Sequence, residues 1–338
     1  MYQFERKTMN LIKKASKGKK HLKLNIGVMI GDQTIIKTFG ENDEIEYENN
    51  IYEIGSITKT FTTSLLAKYI QENRIQLSDN INKYISKLDS DKYYPSLKRL
   101  ATHTSGYTEY QFSTWDSIKM LADTLLKRFN MIKENPTMLD NDRMLKDIQQ
   151  NRMKDKDYKF NYSNFGISVL GYVLGIVSGM GYWDAMEDFL KNELRLPNTY
   201  LDTLPDKNLN GFSPKNENWG NYKWDKNNLV APAGALSSTA EDLLAYARMN
   251  MYDEKDYFAL CHQKYAVMNK QYDMGLGWLI DKKNNIVMHG GTTGCFDTFL
   301  GFDKEKKIAV VFLPNYRMGL GLQMVIGPMI LKDLQKCV

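Results

Sequence analysis

Ser56 and Lys59 are the pair whose types and spacing could do chemistry, in the stretch Glu53-Ile54-Gly55-Ser56-Ile57-Thr58-Lys59-Thr60-Phe61. Residues three apart on a helix share a face. The lysine amine can therefore reach the serine hydroxyl, and an amine beside a hydroxyl is one way to activate a serine nucleophile. Ser16-Lys17-Gly18-Lys19 has the same spacing, but it lies in a lysine-rich polar stretch and reads as solvated surface. The Ser56 copy follows Gly55 and opens an apolar helix, with Ile57, Phe61, Leu65 and Tyr69 one turn apart as a buried stripe. At such a helix start, backbone N–H groups and the helix dipole favour developing negative charge.

Two other stretches offer what that pair lacks. Tyr162-Ser163-Asn164 stands just before an apolar helix. A tyrosine near a lysine ammonium has its phenolate favoured, and it can serve Ser56 as general base and the leaving group as acid. Asn164 can hydrogen-bond Lys59 and a substrate carbonyl. Tyr47-Glu48-Asn49 repeats the pattern in an acidic loop with no helix behind it. His289-Gly290-Gly291-Thr292 ends a strand. Its glycines let a substrate backbone approach and add as an extra strand, while His289 can donate toward the substrate with a pH-dependent charge. Each stretch also has a plainer reading: a core tyrosine with its hydroxyl satisfied, and a glycine-rich turn with an incidental histidine. Of the other histidines, His21 reads as solvated, His103 as a turn residue bonding nearby backbone, and His262 as a neighbour of Cys261 without other ligands in sequence reach.

The elements that must position these residues follow from patterning. Asn10 to Ala15 suits a short amphipathic helix. Leu22–Ile30 and Thr34–Gly40, around Gly31-Asp32-Gln33, read as a β-hairpin. From Leu77 to Tyr158 the text is charged and helical, with a helical run from Ile118 to Ile132 broken at Asn135-Pro136. Phe165–Val177 is an apolar helix ended by Ser178-Gly179, and Asn198–Asn228 is a polar loop with two tryptophans. Ala240–Met251 is a helix with a capping signal at Ser238-Thr239-Ala240-Glu241. Strands are expected over 277–280, 286–289, 298–302 and 308–313, with turns at Asp281–Asn284 and Asp303–Lys306. A helix between Leu320 and Gln335 closes the chain, its start left open by Gly327-Pro328. Strands at both ends with helices between predict an α/β fold, a sheet assembled from both termini with a mostly helical insertion. The boundaries expected are residues 1–77 and 228–338 for the discontinuous α/β domain and 78–227 for the inserted one.

Composition narrows the function classes. The 338 residues are 43% hydrophobic and 25% charged, with a formal net charge of +5, as in a globular protein with a well-packed core. The basic excess is scattered and comes without a nucleic-acid motif, so no nucleic-acid partner is expected. Three cysteines, Cys261, Cys295 and Cys337, form no Cys-x-x-Cys pair, which argues against a disulfide framework or a zinc site. With no phosphate-cradling loop either, no cofactor is expected. No apolar run resembles a signal peptide or a membrane helix, so the chain as given reads as cytoplasmic. The oligomeric state is left open.

Taken together, the three motifs resemble the serine β-lactamase and penicillin-binding-protein superfamily, and best its class C β-lactamase-like branch with D-alanyl-D-alanine carboxypeptidase, D-aminopeptidase and esterase members. Ser56-Ile57-Thr58-Lys59 is similar to the Ser-x-x-Lys motif, Tyr162-Ser163-Asn164 to Tyr-x-Asn, and His289-Gly290-Gly291 stands in the place of Lys-Thr-Gly. Leu100–Gly106, Pro232–Leu243, Gly275-Leu276-Gly277-Trp278 and Leu313-Pro314-Asn315 resemble further family segments in the family's order. The resemblance implies an antiparallel sheet flanked by helices, a helical insertion and an active site between them. It also implies acyl transfer through Ser56, with Lys59 and Tyr162 handling its proton. The N–H groups of Ser56 and Thr292 would serve as oxyanion hole, and Asn164, His289, Gly290 and Gly291 would hold the substrate.

Two departures bear on substrate. Histidine replaces the lysine usual in true β-lactamases, as in peptidase and esterase members, and Lys156-Asp157-Tyr158-Lys159 stands where Pro-Gly commonly precedes Tyr-x-Asn. The expected function is a serine hydrolase of an amide or ester, a D-amino-acid-containing peptide or an ester being favoured. The alternatives are a β-lactamase proper and a β-lactam- or peptide-binding protein without turnover.

Overall fold

The computed structural model describes residues 4–108, 138–151, 153–201, 209–319 and 321–338. The strands are β1 Leu24–Ile30, β2 Gln33–Phe39, β3 Glu44–Ile45, β4 Tyr52–Glu53, β5 Gly211–Phe212, β6 Asn218–Gly220, β7 Ser237–Ser238, β8 Ala266–Val267, β9 Tyr272–Met274, β10 Leu279–Asp281, β11 Ile286–Thr292, β12 Asp297–Asp303 and β13 Ile308–Pro314. Nine form one sheet in the order β3-β2-β1-β13-β12-β11-β10-β9-β8, and every neighbouring pair in it is antiparallel. The first strands of the chain thus sit beside its last, as expected. Short strands at β8 and β9 extend the sheet beyond the four C-terminal strands read from the sequence.

Local chemistry explains the turns. Ile30 faces Gln33 across the β1–β2 hairpin, leaving a two-residue loop in which Gly31 has φ +57°, a conformation that suits glycine. Asp281 accepts N–H bonds from Lys283 and Asn284 at 3.0 and 3.2 Å. Asp303 does the same for Glu305 and Lys306 at 2.9 and 3.1 Å. Both are side-chain-closed turns of the aspartate kind.

Both faces of the sheet are covered. Along β13, Ile308, Val310 and Phe312 point into one core with Ile12, Ile330 and Leu334 of the Arg6–Ser16 and Gln323–Gln335 helices. Ala309, Val311 and Leu313 point into the other, with Phe61 and Leu244 of the Thr58–Gln71 and Ala240–Tyr252 helices. This is the period-two alternation of a strand, read here as one continuous apolar run because both faces are buried. The second core continues into Leu97, Leu145 and Leu170.

Three expectations need correcting. Ser16 is buried, its hydroxyl donating to the Ile12 carbonyl at 2.9 Å, because the C-terminal turn of the first helix packs on the sheet. The Thr58–Gln71 helix is buried on all sides from Thr58 to Ala67, not along one stripe. Its hydroxyls tolerate this because each finds a partner: Thr62 on the Pro232 carbonyl at 2.8 Å, Thr63 on that of Leu276 at 2.8 Å, and Ser64 with the Tyr246 hydroxyl at 2.9 Å. Between Leu77 and Tyr158 the described residues hold only Leu97–Ala101 and Asn141–Gln150 as α-helix. Asp79 and Asp89 accept backbone N–H bonds from Gln76 and Asp91 there, offering the chain an alternative to helix. The run from Ile118 to Ile132 lies outside the described residues. The closing helix lies within its expected bounds, beginning at Gln323 and running through Pro328.

Candidate active site

Gly55 sets the site's geometry. It has φ +51° and opens a 3-10 turn, Gly55–Ile57, that leads into the Thr58–Gln71 helix. Ser56 lies in that turn and is half-buried, while Lys59, in the first α-turn, is fully buried. The Lys59 Nζ donates to Ser56 Oγ at 2.9 Å and to the Ala233 carbonyl at 2.6 Å. An ammonium taken out of water needs such partners. The Ala233 carbonyl was missed from sequence, since a main-chain acceptor leaves no side-chain signature. It comes from the 3-10 turn Ala231–Ala233, inside a segment flagged for its family likeness.

Tyr162 arrives from the other side. Ser163 caps the Asn164–Ser178 helix, its Oγ accepting the Gly166 N–H at 2.8 Å. That cap holds the preceding residue at the helix mouth. The Tyr162 hydroxyl donates to Ser56 Oγ at 2.7 Å, and the Lys59 Nζ lies 5.0 Å from the Tyr162 ring centroid. Asn164 is the first residue of the helix and half-buried. The Lys154–Tyr158 stretch preceding it is held by Arg99, which bonds Asp155 at 2.8 Å and Asp157 at 2.9 Å. These bonds draw the Asp157 carboxyl below its ordinary range.

The third side is the end of β11. Beyond Met288, which pairs with Leu279 of β10, no described strand pairs with the cleft side of His289–Thr292. Their other side pairs with β12. The backbone comes very close to the serine turn: a Cβ on Gly55 would lie 2.7 Å from the Thr292 backbone nitrogen, and one on Gly291 would lie 1.9 Å from the Ile54 carbonyl oxygen. A Cβ on Gly290 would meet Met324 Sδ at 2.5 Å. The two glycines thus serve the protein's own packing, beyond the substrate approach read from sequence. Thr292 is fixed by its neighbours, its hydroxyl donating to Asp297 at 2.9 Å. Asp297, whose carboxyl is raised by burial, in turn accepts N–H bonds from Met318 and Gly319 at 2.7 and 3.1 Å.

His289 differs from expectation in its charge. Burial, then the Lys59 ammonium, push its pKa down to about 3, so the ring is neutral at ordinary pH. Its Nδ1 lies 2.6 Å from the Gly290 carbonyl. A carbonyl only accepts, so Nδ1 carries the proton and Nε2 is left as an acceptor. His103 is more than the turn residue that the sequence suggests. It is buried, its Nδ1 accepts the Ser163 N–H at 3.2 Å, and its ring lies 4.6 Å from that of Tyr162. His262 bonds Asn250 at 3.1 Å, well separated in the chain from these motifs. Among the described residues no cluster of metal-ligating side chains occurs. No single described helix is long and apolar enough to cross a membrane.

The geometry is that of a serine held between an amine and a phenol, beside a strand end with main-chain donors. Comparisons with known proteins give the family and the fold. The family model described as Beta-lactamase matches residues 10–321. The chain is similar to a Beta-lactamase of Pseudomonas fluorescens, 25% identical over 310 residues, covering 79% of this chain and 80% of that protein. It is similar also to Protein flp of Staphylococcus aureus (strain MW2), 22% identical over 287 residues, 78% of this chain but 52% of that protein. The chain thus spans about half the length of that relative. The solved beta-lactamase/D-alanine carboxypeptidase from Pseudomonas syringae has a TM-score of 0.77 at 17% identity, over 96% of this chain and 97% of that one. At that identity the likeness is one of fold: the class C beta-lactamase and DD-peptidase fold, mixed α/β with a large antiparallel sheet. On the match across residues 10–321, the chain belongs to the Beta-lactamase family, whose members are serine hydrolases.

Proposed function

We propose that this protein hydrolyses an amide or ester through an acyl-enzyme on Ser56, with a D-amino-acid-containing peptide or an ester favoured over a β-lactam. The observation that carries the reading is the double hydrogen bond at Ser56 Oγ, from Lys59 Nζ at 2.9 Å and Tyr162 OH at 2.7 Å. Attack starts from the Tyr162 phenolate, the form that the Lys59 ammonium favours: Tyr162 gives its hydroxyl proton to solvent, the Ser56 hydroxyl turns to donate to it, and the serine proton then passes to the Tyr162 oxygen. The oxygen then bonds to the substrate carbonyl carbon, and the carbonyl π-electrons move onto its oxygen. The N–H groups of Ser56 and Thr292 meet that oxyanion; losing one such donor typically costs ~3–4 kcal/mol. As the tetrahedral adduct collapses, Tyr162 returns the proton to the leaving amine or alkoxide. Water repeats the sequence and frees the acid. Asn164 and the open side of β11 supply bonds to the substrate main chain.

The preference against β-lactams is supported by His289. Neutral, with its Nδ1 proton already committed to Gly290, it supplies no cation for a carboxylate. β-Lactamase activity proper is the second reading, supported by the printed names of the relatives.

Intact-protein mass spectrometry with p-nitrophenyl butyrate and with a penicillin, on wild type and Ser56→Ala, tests the proposal. Wild type should turn over the ester and Ser56→Ala should not. Ester turnover that survives in Ser56→Ala sinks the assignment. Rapid penicillin turnover favours the second reading, and stable acylation without turnover favours a binding protein. Profiling with D-amino-acid amides, D-Ala-D-Ala peptides and short-chain esters then ranks substrates.

A further inference from the structure

The residues on both sides of Tyr162 are tied to one buried side chain that the mechanism above does not use. His103 follows the Leu97–Ala101 helix and has φ +57°. In that turn its carbonyl accepts the Asn161 N–H at 2.9 Å, while its Nδ1 accepts the Ser163 N–H at 3.2 Å. Its ring lies along the Tyr162 ring, centroids 4.6 Å apart and planes 33° apart, with Phe160 edge-on at 5.7 Å. One residue thus clamps the main chain before and after Tyr162 and backs its ring.

The clamp specifies a protonation state. Nδ1 faces an N–H donor, so it must keep its lone pair, and the neutral ring carries its proton on Nε2. An imidazolium would set two N–H groups against each other. Burial, then the Lys59 ammonium and His289, hold the His103 pKa well below its ordinary value, in keeping with that requirement. Nε2 is buried without a hydrogen-bond partner among the described residues. The observed orientation therefore exists for the Nδ1 bond rather than for any contact at Nε2.

We propose that His103, as the neutral Nε2–H tautomer, is a positioning residue that holds the Tyr162 hydroxyl at Ser56 Oγ. This rests on the reading of Tyr162 as proton carrier. A misplacement of about 1 Å in such a group can slow turnover on the order of 10²-fold.

Asparagine and glutamine separate this role from simple packing. The Asn amide oxygen takes the place of Nδ1, and asparagine accepts a positive φ. The Gln amide lies one bond further out, near the place of Nε2. With p-nitrophenyl butyrate as substrate, below both melting transitions, H103N should keep kcat within about fivefold of wild type. H103Q should lose kcat by about 10²-fold with KM nearly unchanged. In a Tyr162→Phe background H103Q should cost less than about threefold more, because the group it positions is gone. Equal kcat for H103N and H103Q, or a full multiplicative loss in the double variant, overturns the positioning role while leaving Tyr162 its own. Wild-type activity in Tyr162→Phe overturns the Tyr162 reading and this proposal with it. A ¹⁵N spectrum of the protein labelled at its four histidines checks the tautomer without any variant. It should show His103 protonated at Nε2 alone at pH 7; a proton on Nδ1 overturns the clamp.

Discussion

Ser56 Oγ is met by two hydrogen-bond donors, and one of them is an amine buried at 0% exposure. Burying a charged amine costs several kcal/mol, and replacing it with an apolar chain of similar volume is often neutral or stabilising. Against this stands the Ala233 carbonyl, which would lose its 2.6 Å partner at about 1–3 kcal/mol. The first effect is the larger. Lys59→Met is therefore predicted to abolish ester hydrolysis while its melting temperature stays level or rises; a marked fall in melting temperature contradicts this. Tyr162→Phe should lower kcat roughly 10²–10⁴-fold, the range of a general acid–base group.

His289 carries a residue-scale prediction about pH. Its folded pKa of about 3 lies below the unfolded value of about 6.5. Between those values the unfolded chain binds a proton that the folded one does not. Its contribution to stability is therefore present above about pH 6.5 and declines as pH falls toward 3, by up to about 1.4 kcal/mol per pH unit. Melting curves from pH 4 to 8 should be shallower for H289Q in the acid limb. Slopes that match wild type there refute the assignment. His103, depressed in the same direction, leaves some slope in the variant.

At the scale of elements, the site depends on how closely β11 approaches the turn that carries Ser56. Gly55 and Gly291 allow that approach. Gly291→Ala would place a carbon 1.9 Å from the Ile54 carbonyl, so the strand must move, and its Thr292 N–H with it. Gly40, just after β2, is a contrast: an added Cβ there would come no closer than 3.4 Å, to the Ile45 side chain, an ordinary contact. Ester kcat should fall at least about 10²-fold in G291A and stay within a few-fold in G40A. Similar values for the two would show that strand approach does not limit the rate. The elements themselves were largely legible. The Thr239 cap, the Gly179 stop and the aspartate turns are local signals; the Ser163 cap is equally local but emerges only in the structure. The all-round burial of the serine helix was not, because its threonines find their partners on distant segments.

Across the whole molecule, one sheet separates two cores. Val310 and Val311 are neighbours on β13, both fully buried, and they point into opposite cores. Because the two cores share that strand, neither can lose its packing alone. V310A and V311A, each costing roughly 1–3 kcal/mol, should lower one common transition seen alike by far-UV circular dichroism and tryptophan fluorescence. Two transitions, each moved by only one of the variants, would mean that the cores unfold independently.

The sequence by itself determined the α/β class, the hairpin and strands at the two chain ends, and the order of Ser56-x-x-Lys59, Tyr162-x-Asn164 and His289-Gly290-Gly291. These are carried by periodicity, turn residues and side-chain type, all written within a few positions of one another. Only the tertiary structure decided which atoms meet at Ser56. The Ala233 carbonyl on Lys59, the His103 clamp on Tyr162 and the neutral state of His289 join residues far apart in the chain. Each depends on burial and on main-chain groups, which every residue carries alike and which become distinctive only once the fold has aimed them.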